Sequence, residues 1–231
     1  TPLYSSAASD VYKRQIEQYS KPHSLKILGG YTGSGKTETL HDLAKHGKAV
    51  VDLEGLANHK GSSFGALGQD TQPSQEMFEN LLAESLYQQE KKEAVIWLED
   101  ESQRIGTVMI PTPFFTQIKN STCYFVRIPF EERLNFIEKQ YGRFDKSALI
   151  AATQRIQKRL GGLETKNVVS FIEAGEIKNA FTILLKYYDK WYDKFSKLEK
   201  TNKEENDLSN IQWLDASKVD DETNSLMLLN L

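Results

Sequence analysis

The chain has 231 residues, 39% hydrophobic and 26% charged, a balance that excludes a disordered, highly charged chain and allows one sizeable α/β core. A formal net charge of -3 excludes a uniformly basic nucleic-acid binder and leaves only a local basic face for that role. The single cysteine, Cys123, excludes an intramolecular disulfide and a cysteine zinc cluster, and no apolar run nears the roughly 20 residues of a membrane helix, so a cytoplasmic protein with no membrane partner is expected.

Residues 1–15 (TPLYSSAASDVYKRQ) show neither helix nor strand period and resemble translated cloning or sequencing adaptor, so a non-native or disordered leader is expected there. Residues 16–198 are expected to form one α/β domain with a helical extension. Its first strand is Leu25-Lys26-Ile27-Leu28, closed by Gly29-Gly30, and a helix follows over 38–46 with Gly47 as its stop. A second strand is expected over 49–53, then a Gly- and Ser-rich loop over 55–75, a helix over 75–89 and a third strand over 94–98. After Pro111 and Pro113 come a short helix at 114–119 and a fourth strand at 123–128. From Pro129 onward the pattern is helical, over 130–141, 147–160, 168–174 and 176–198, and residues 199–231 read as an acidic, loosely ordered tail. Strands alternating with helices give a P-loop NTPase-like, doubly wound parallel sheet with a helical C-terminal region.

Gly30-Tyr31-Thr32-Gly33-Ser34-Gly35-Lys36-Thr37 fits G-x-x-x-x-G-K-[ST] between a strand and a helix, where that motif must sit. Gly30, Thr32, Gly33, Ser34 and Gly35 offer inward-facing N–H groups to a phosphate, Lys36 adds a mobile charge, and the Thr37 hydroxyl can meet Mg²⁺. Parallel sheets bind ligands at the carboxyl ends of their strands, and Asp52, Glu54, Glu99, Asp100 and Glu101 fall at that edge. Glu99 or Asp100 is the natural partner of a loop-bound Mg²⁺, and Asp52 or Glu54 can bind a substrate group or act as a base. Acidic residues at strand ends are also common helix caps and turn formers.

The loop after the second strand has little apolar content to anchor it and lies over the site. His59 and Lys60 can meet phosphate there, and Ser62, Ser63 and Gly65 can offer hydroxyls or N–H groups, as can any solvated surface loop. Arg127 ends the fourth strand, and Arg133, Arg143, Arg155, Lys158 and Arg159 follow on helices. They can close over phosphates or lie along RNA, whereas Phe130, Phe136, Tyr141 and Phe144 fit a core better than a base-stacking surface.

Four passages make the chain resemble the P-loop portion of bacterial tRNA 2-selenouridine synthases: GYTGSGKT at 30–37, DLEGLANHKGSSFGALG at 52–68, PSQ at 73–75 with FEN at 78–80, and WLEDESQRIG at 97–106. The resemblance implies modification of the wobble 2-thiouridine of tRNA, by geranylation from geranyl diphosphate and then replacement of the geranylthio group with selenium from selenophosphate. It also implies candidate catalytic roles for Lys36, Asp52, Asp100 and Arg104. Substrate or tRNA contacts are expected from His59, Ser62, Ser63, Arg127, Arg133, Arg155 and Arg159, and an Mg²⁺ site from Thr37, Glu99 and Asp100. Family members carry an N-terminal rhodanese-like domain with a cysteine important for selenation; nothing before Ile16 matches it, so a fragment is expected, and Cys123 is read as a structural cysteine. The loop and acidic strand ends alone suit an ATP- or GTP-dependent small-molecule kinase or NTPase equally well.

Overall fold

The computed structural model describes residues 15–202 and 210–231, and side chains outside 193–209; the expected leader falls almost wholly outside that range. A helical stretch at 15–20 precedes β1 (Ser24–Gly30), α1 (Lys36–Lys45), β2 (Ala49–Val50), α2 (Leu53–Ala57), α3 (Gln75–Lys92) and β3 (Val95–Glu99). Then come β4 (Arg104–Ile105), β5 (Val108–Met109), α4 (Thr112–Asn120), β6 (Thr122–Arg127), α5 (Phe130–Tyr141), α6 (Lys146–Arg155), α7 (Gln157–Leu160), α8 (Gly162–Ala174), α9 (Ile177–Asn202), β7 (Ile211–Asp215) and α10 (Asp221–Leu229).

The main sheet has five strands in the order β2-β3-β1-β6-β7, and every pairing in it is parallel. The chain leaves β1 for one side of the sheet and later adds β6 and β7 on the other. The order therefore reverses at β1, whose carboxyl end is where such sheets open a crevice for ligands. Side chains alternate between the two faces. Leu28, Trp97, Tyr124 and Val126 meet Leu40 and Leu43 of α1 and Leu228 of α10. On the opposite face Leu25, Ile27, Ile96 and Leu98 meet Phe78, Leu82 and Leu86 of α3 and Phe114 and Ile118 of α4. Helices α5 to α9 build a separate core around Leu134, Ile137, Leu149, Val168, Ile172, Phe181 and Leu184.

The α/β architecture and its helical C-terminal region agree with the sequence reading, and the differences have local causes. The second strand ends early because Asp52 caps α2, its carboxylate accepting from Gly55 N, a use of acidic residues that outcompetes strand continuation. The helix expected over 147–160 breaks at Ile156 (φ -100°, ψ 5°), and α8 starts at Gly162, just after Gly161 takes φ 99°. The loop at 55–75 is anchored rather than loose: Phe64 is 2% exposed and sits in the helical core against Phe181 and Tyr141.

The largest correction concerns residues 199–231. The reading as a loosely ordered tail fails for the described part, where β7 extends the sheet beside β6 and α10 buries Leu228 against α1. Asp220 caps α10 by accepting from Thr223 N at 2.8 Å. The acidic and amide-rich composition belongs to caps and solvent faces, while few positions (Ile211, Leu214, Val219, Leu228) supply the apolar contacts. Averaging over the segment hides them.

Candidate active site

The phosphate loop takes the form its glycines permit. Gly33 and Gly35 have φ of 81° and 71°, left-handed values that residues with a Cβ adopt at a cost. Each is also tightly covered: a Cβ at Gly33 would lie 2.7 Å from Ile137 Cγ1 of α5, and one at Gly35 would lie 2.7 Å from Val219 Cγ1. Lys36 Nζ donates to Gly30 O at 3.2 Å, folding over the loop. Burial acts to lower the Lys36 pKa, but Tyr192, Glu101, Glu54 and Glu99 outweigh it and hold the pKa above the ordinary lysine value. The ammonium is thus a fixed cation beside the loop. Ser34 Oγ is buried with no hydrogen-bond partner among the described residues, an unmet demand that a phosphate oxygen would satisfy.

Beside the loop three carboxylates converge. Glu54 from α2, Glu99 from the end of β3 and Glu101 just beyond it place ligand oxygens within 4.8 Å of one another. Thr37 Oγ1 lies 3.0 Å from Glu54 Oε2 and 3.4 Å from Glu99 Oε2, and Glu54 N donates to Glu99 Oε1 at 3.1 Å. Burial, then the neighbouring carboxylates, push Glu99 well above the carboxylate range and Glu101 up to about 8. Glu54 is raised chiefly by burial, against the pull of Lys36 and Thr37. Such crowding of like charge favours a bound cation, and an all-oxygen donor set next to a phosphate loop fits Mg²⁺. Of the expected metal set, Thr37 and Glu99 are in this cluster. Asp100 is not among the three carboxylates: it pairs with Lys119 at 2.8 Å, as the period of two at a strand end separates it from Glu99 and Glu101. Glu54 and Glu101 stand in its place.

The loop and the carboxylates form one end of a cavity of about 570 Å³. The other end is aromatic. Tyr31 stands edge-on to Phe125 at 5.2 Å and to Tyr192 at 5.8 Å between ring centroids, and Phe125 leans on Trp213 at 4.9 Å. Trp191 of α9 and Phe136 of α5 also line it. Trp191, Tyr192 and Trp213 were missed as site residues. The signal that could have found Trp191 and Tyr192 is the aromatic run Tyr187, Tyr188, Trp191 and Tyr192 at helical spacing, which leaves too many aromatics for one buried stripe; nothing local in the sequence marks Trp213.

The remaining expected residues divide by what they touch. Ser62 lines the cavity, with Lys60 and Gly61. Asp52 caps α2 through Gly55 N at 2.7 Å and meets His41 Nε2 at 2.7 Å, so it supports Glu54 from behind. His59 is buried beneath Gly65, and burial, then Arg155, lower its pKa. Ser63 Oγ donates to Ala152 O at 3.0 Å and Arg155 Nη2 to Ser63 O at 2.9 Å, tying the loop to α6. Arg127 is held in a two-pronged pair with Asp215 at 2.8 Å. Arg133, 3% exposed, donates to Thr32 O at 3.0 Å, Ile128 O at 3.2 Å and Asp189 at 2.9 and 2.7 Å. It is a strut between phosphate loop, sheet and α9. Arg104 is exposed on β4 with its guanidinium toward Met109 Sδ. Arg159 is exposed on α7. Tyr141 is buried in the helical core with Phe130 and Phe144 against it, as the core reading of these aromatics expects, but Tyr141 and Phe136 both also line the cavity.

A family model described as the tRNA 2-selenouridine synthase AAA domain matches residues 23–218. The chain is 36% identical to a tRNA 2-selenouridine synthase of Shewanella frigidimarina over 68% of this chain and 47% of that one. It is 36% identical to one of Hydrogenovibrio crunogenus over 72% and 51%, and 33% identical to one of Shewanella piezotolerans over 87% and 63%. The chain thus spans about half the length of the first of these relatives. Among solved structures, a full-length tRNA isopentenylpyrophosphate transferase from Bacillus halodurans aligns at 14% identity with a TM-score of 0.46, over 90% of this chain and 95% of that one.

Proposed function

The chain belongs to the tRNA 2-selenouridine synthase family, and from that premise we propose that its cavity binds geranyl diphosphate for transfer to the sulfur of a wobble 2-thiouridine in tRNA. The observation that carries this reading is the union, in one cavity, of a phosphate loop and an aromatic chamber. An allylic diphosphate has the same two halves. The loop N–H groups and Lys36 bind the diphosphate, and the chamber around Phe125 and Trp213 takes the hydrocarbon tail out of water.

In the transfer the thiouridine sulfur forms a bond to the first carbon of the geranyl chain as the carbon–oxygen bond to diphosphate breaks, its electron pair leaving on the diphosphate, and the thiouridine N3–H gives up its proton to the departing diphosphate or to water, so that the product base is neutral. Lys36 and the loop stabilise that departing charge, and the chamber fixes the allylic carbon for attack. Thr37, Glu54, Glu99 and Glu101 are the residues that would hold Mg²⁺, which when bound supplies further neutralisation of the diphosphate. Selenophosphate is the proposed selenium donor in the later replacement of the geranylthio group. With Arg133 buried in its pair with Asp189, the exposed Arg127, Arg155, Lys158 and Arg159 are the proposed tRNA-facing cations, although Arg127 also pairs with Asp215 and Arg155 also holds Ser63 O. The proposed compartment is the cytoplasm, where tRNA and these diphosphates meet.

A kinase or NTPase would use the same loop and carboxylates and would stack its nucleotide base on the aromatic end, so ligand preference decides between the two. Calorimetric titration with geranyl diphosphate and with ATP, with and without Mg²⁺ and with Lys36→Ala as control, separates the two. Preference for geranyl diphosphate that disappears in Lys36→Ala is expected; preference for ATP overturns the proposal.

A further inference from the structure

The face of the sheet that α3 and α4 cover beneath β1 and β3 borders the cavity beneath β6 and β7. Strand register fixes what lies there. Gly29, Phe125 and Trp213 form one row across β1, β6 and β7, and Ile27, Cys123 and Ile211 form the next row toward the amino ends. Phe125, Trp213, Cys123 and Ile211 all line the cavity. Gly29 lets these side chains pack directly against β1: a Cβ there would lie 2.7 Å from Cys123 Sγ and 2.8 Å from Phe125 Cδ2.

We propose that Cys123 and Ile211 form the end wall of the tail chamber and set the length of prenyl chain that the site accepts. The inference rests on the geranyl diphosphate reading and adds a length gauge to it. Val126 is in register with Gly30 of the phosphate loop, and Cys123 lies three residues back along the same strand. At about 3.3 Å per residue that span is about 10 Å, the reach of two isoprene units. A diphosphate anchored on the loop therefore passes its first isoprene unit over the Phe125 and Trp213 row and ends its second against Cys123 and Ile211. Cys123 serves here by the size of its side chain: it is the smallest of the four lining side chains, and enlarging it shortens the chamber.

The test is the binding of inorganic pyrophosphate and of dimethylallyl, geranyl and farnesyl diphosphates to the wild-type chain, Cys123→Leu and Cys123→Ala, by calorimetry. The expected result is that Cys123→Leu lowers the ratio of geranyl to dimethylallyl affinity about tenfold, and Cys123→Ala raises the ratio of farnesyl to geranyl affinity several-fold, about what one or two methylenes of pocket space discriminate. Ratios within each variant remove any general loss of folded protein, and Ile211→Trp repeats the shortening from a different strand. If the wild-type chain binds geranyl diphosphate no better than pyrophosphate, the underlying reading falls. If it prefers geranyl diphosphate but the ratios stay fixed in the variants, the length gauge alone is overturned.

Discussion

At the proposed phosphate end of the cavity the groups offered to a ligand come from eight consecutive residues, Gly30 to Thr37, and most of them are backbone N–H groups posed by Gly33 and Gly35. At the aromatic end the walls come from Tyr31, Phe125, Phe136, Trp191, Tyr192 and Trp213, on five segments spread across the chain. The two ends meet different demands. An anion needs several donors at fixed angles, which a local backbone turn supplies. A hydrocarbon tail needs only bulk and dryness, which any elements brought together by the fold can supply.

Four substitutions break or sharpen that contrast. The largest effect is expected from Lys36→Ala, which should weaken pyrophosphate and geranyl diphosphate alike by roughly a hundredfold or more, as truncating one partner of a buried charge pair does; calorimetry reads both. Next is Arg133→Met, which leaves Asp189 and Thr32 O without their partner. Urea denaturation should show a loss of about 3 kcal/mol, at the low end for a broken buried pair because Asp189 is partly exposed. Trp213→Ala should then separate the ends, lowering geranyl diphosphate affinity about tenfold while pyrophosphate is bound as before. An equal loss for both ligands would show that the chamber does not act through the tail.

The smallest effect is expected from Glu99→Gln. Removing one of three crowded carboxylates should stabilise the metal-free protein by on the order of 1 kcal/mol, while abolishing the rise in melting temperature that Mg²⁺ gives the unsubstituted chain. A rise that survives the substitution would place the cation elsewhere.

The same contrast explains what could be read in advance. The phosphate loop, the parallel sheet and the helix from Phe130 to Tyr141 are written in contiguous patterns, and the structure places them where the patterns fall. Glu99 was legible because a strand delivers its last residue to the ligand edge. Glu101 and Asp100 were confused because alternation at a strand end cannot be followed without knowing where the strand stops. Arg133 read as a substrate or tRNA contact because arginine serves such contacts and internal struts alike; only its three acceptors, Ile128, Thr32 and Asp189, show a strut. Phe64 and Leu228 lie in segments whose average composition is polar, so these buried anchors were outvoted by their neighbours.

The contact of Val219 with Gly35 and the hydrogen bond from Ser225 to Asp42, the latter across 183 residues, join the two ends of the described domain. Loop closure over such a separation is slow and comes after the local turns and helices have formed. The phosphate loop should therefore take its shape early in folding yet gain its grip late, when β7 and α10 dock. During refolding from urea, capture of pyrophosphate should follow the slow phase that reports docking of Trp213 against Phe125 rather than the fast gain of helix signal. The segment from Val219 to Ser225 would then act as a latch on a loop shaped well before it docks.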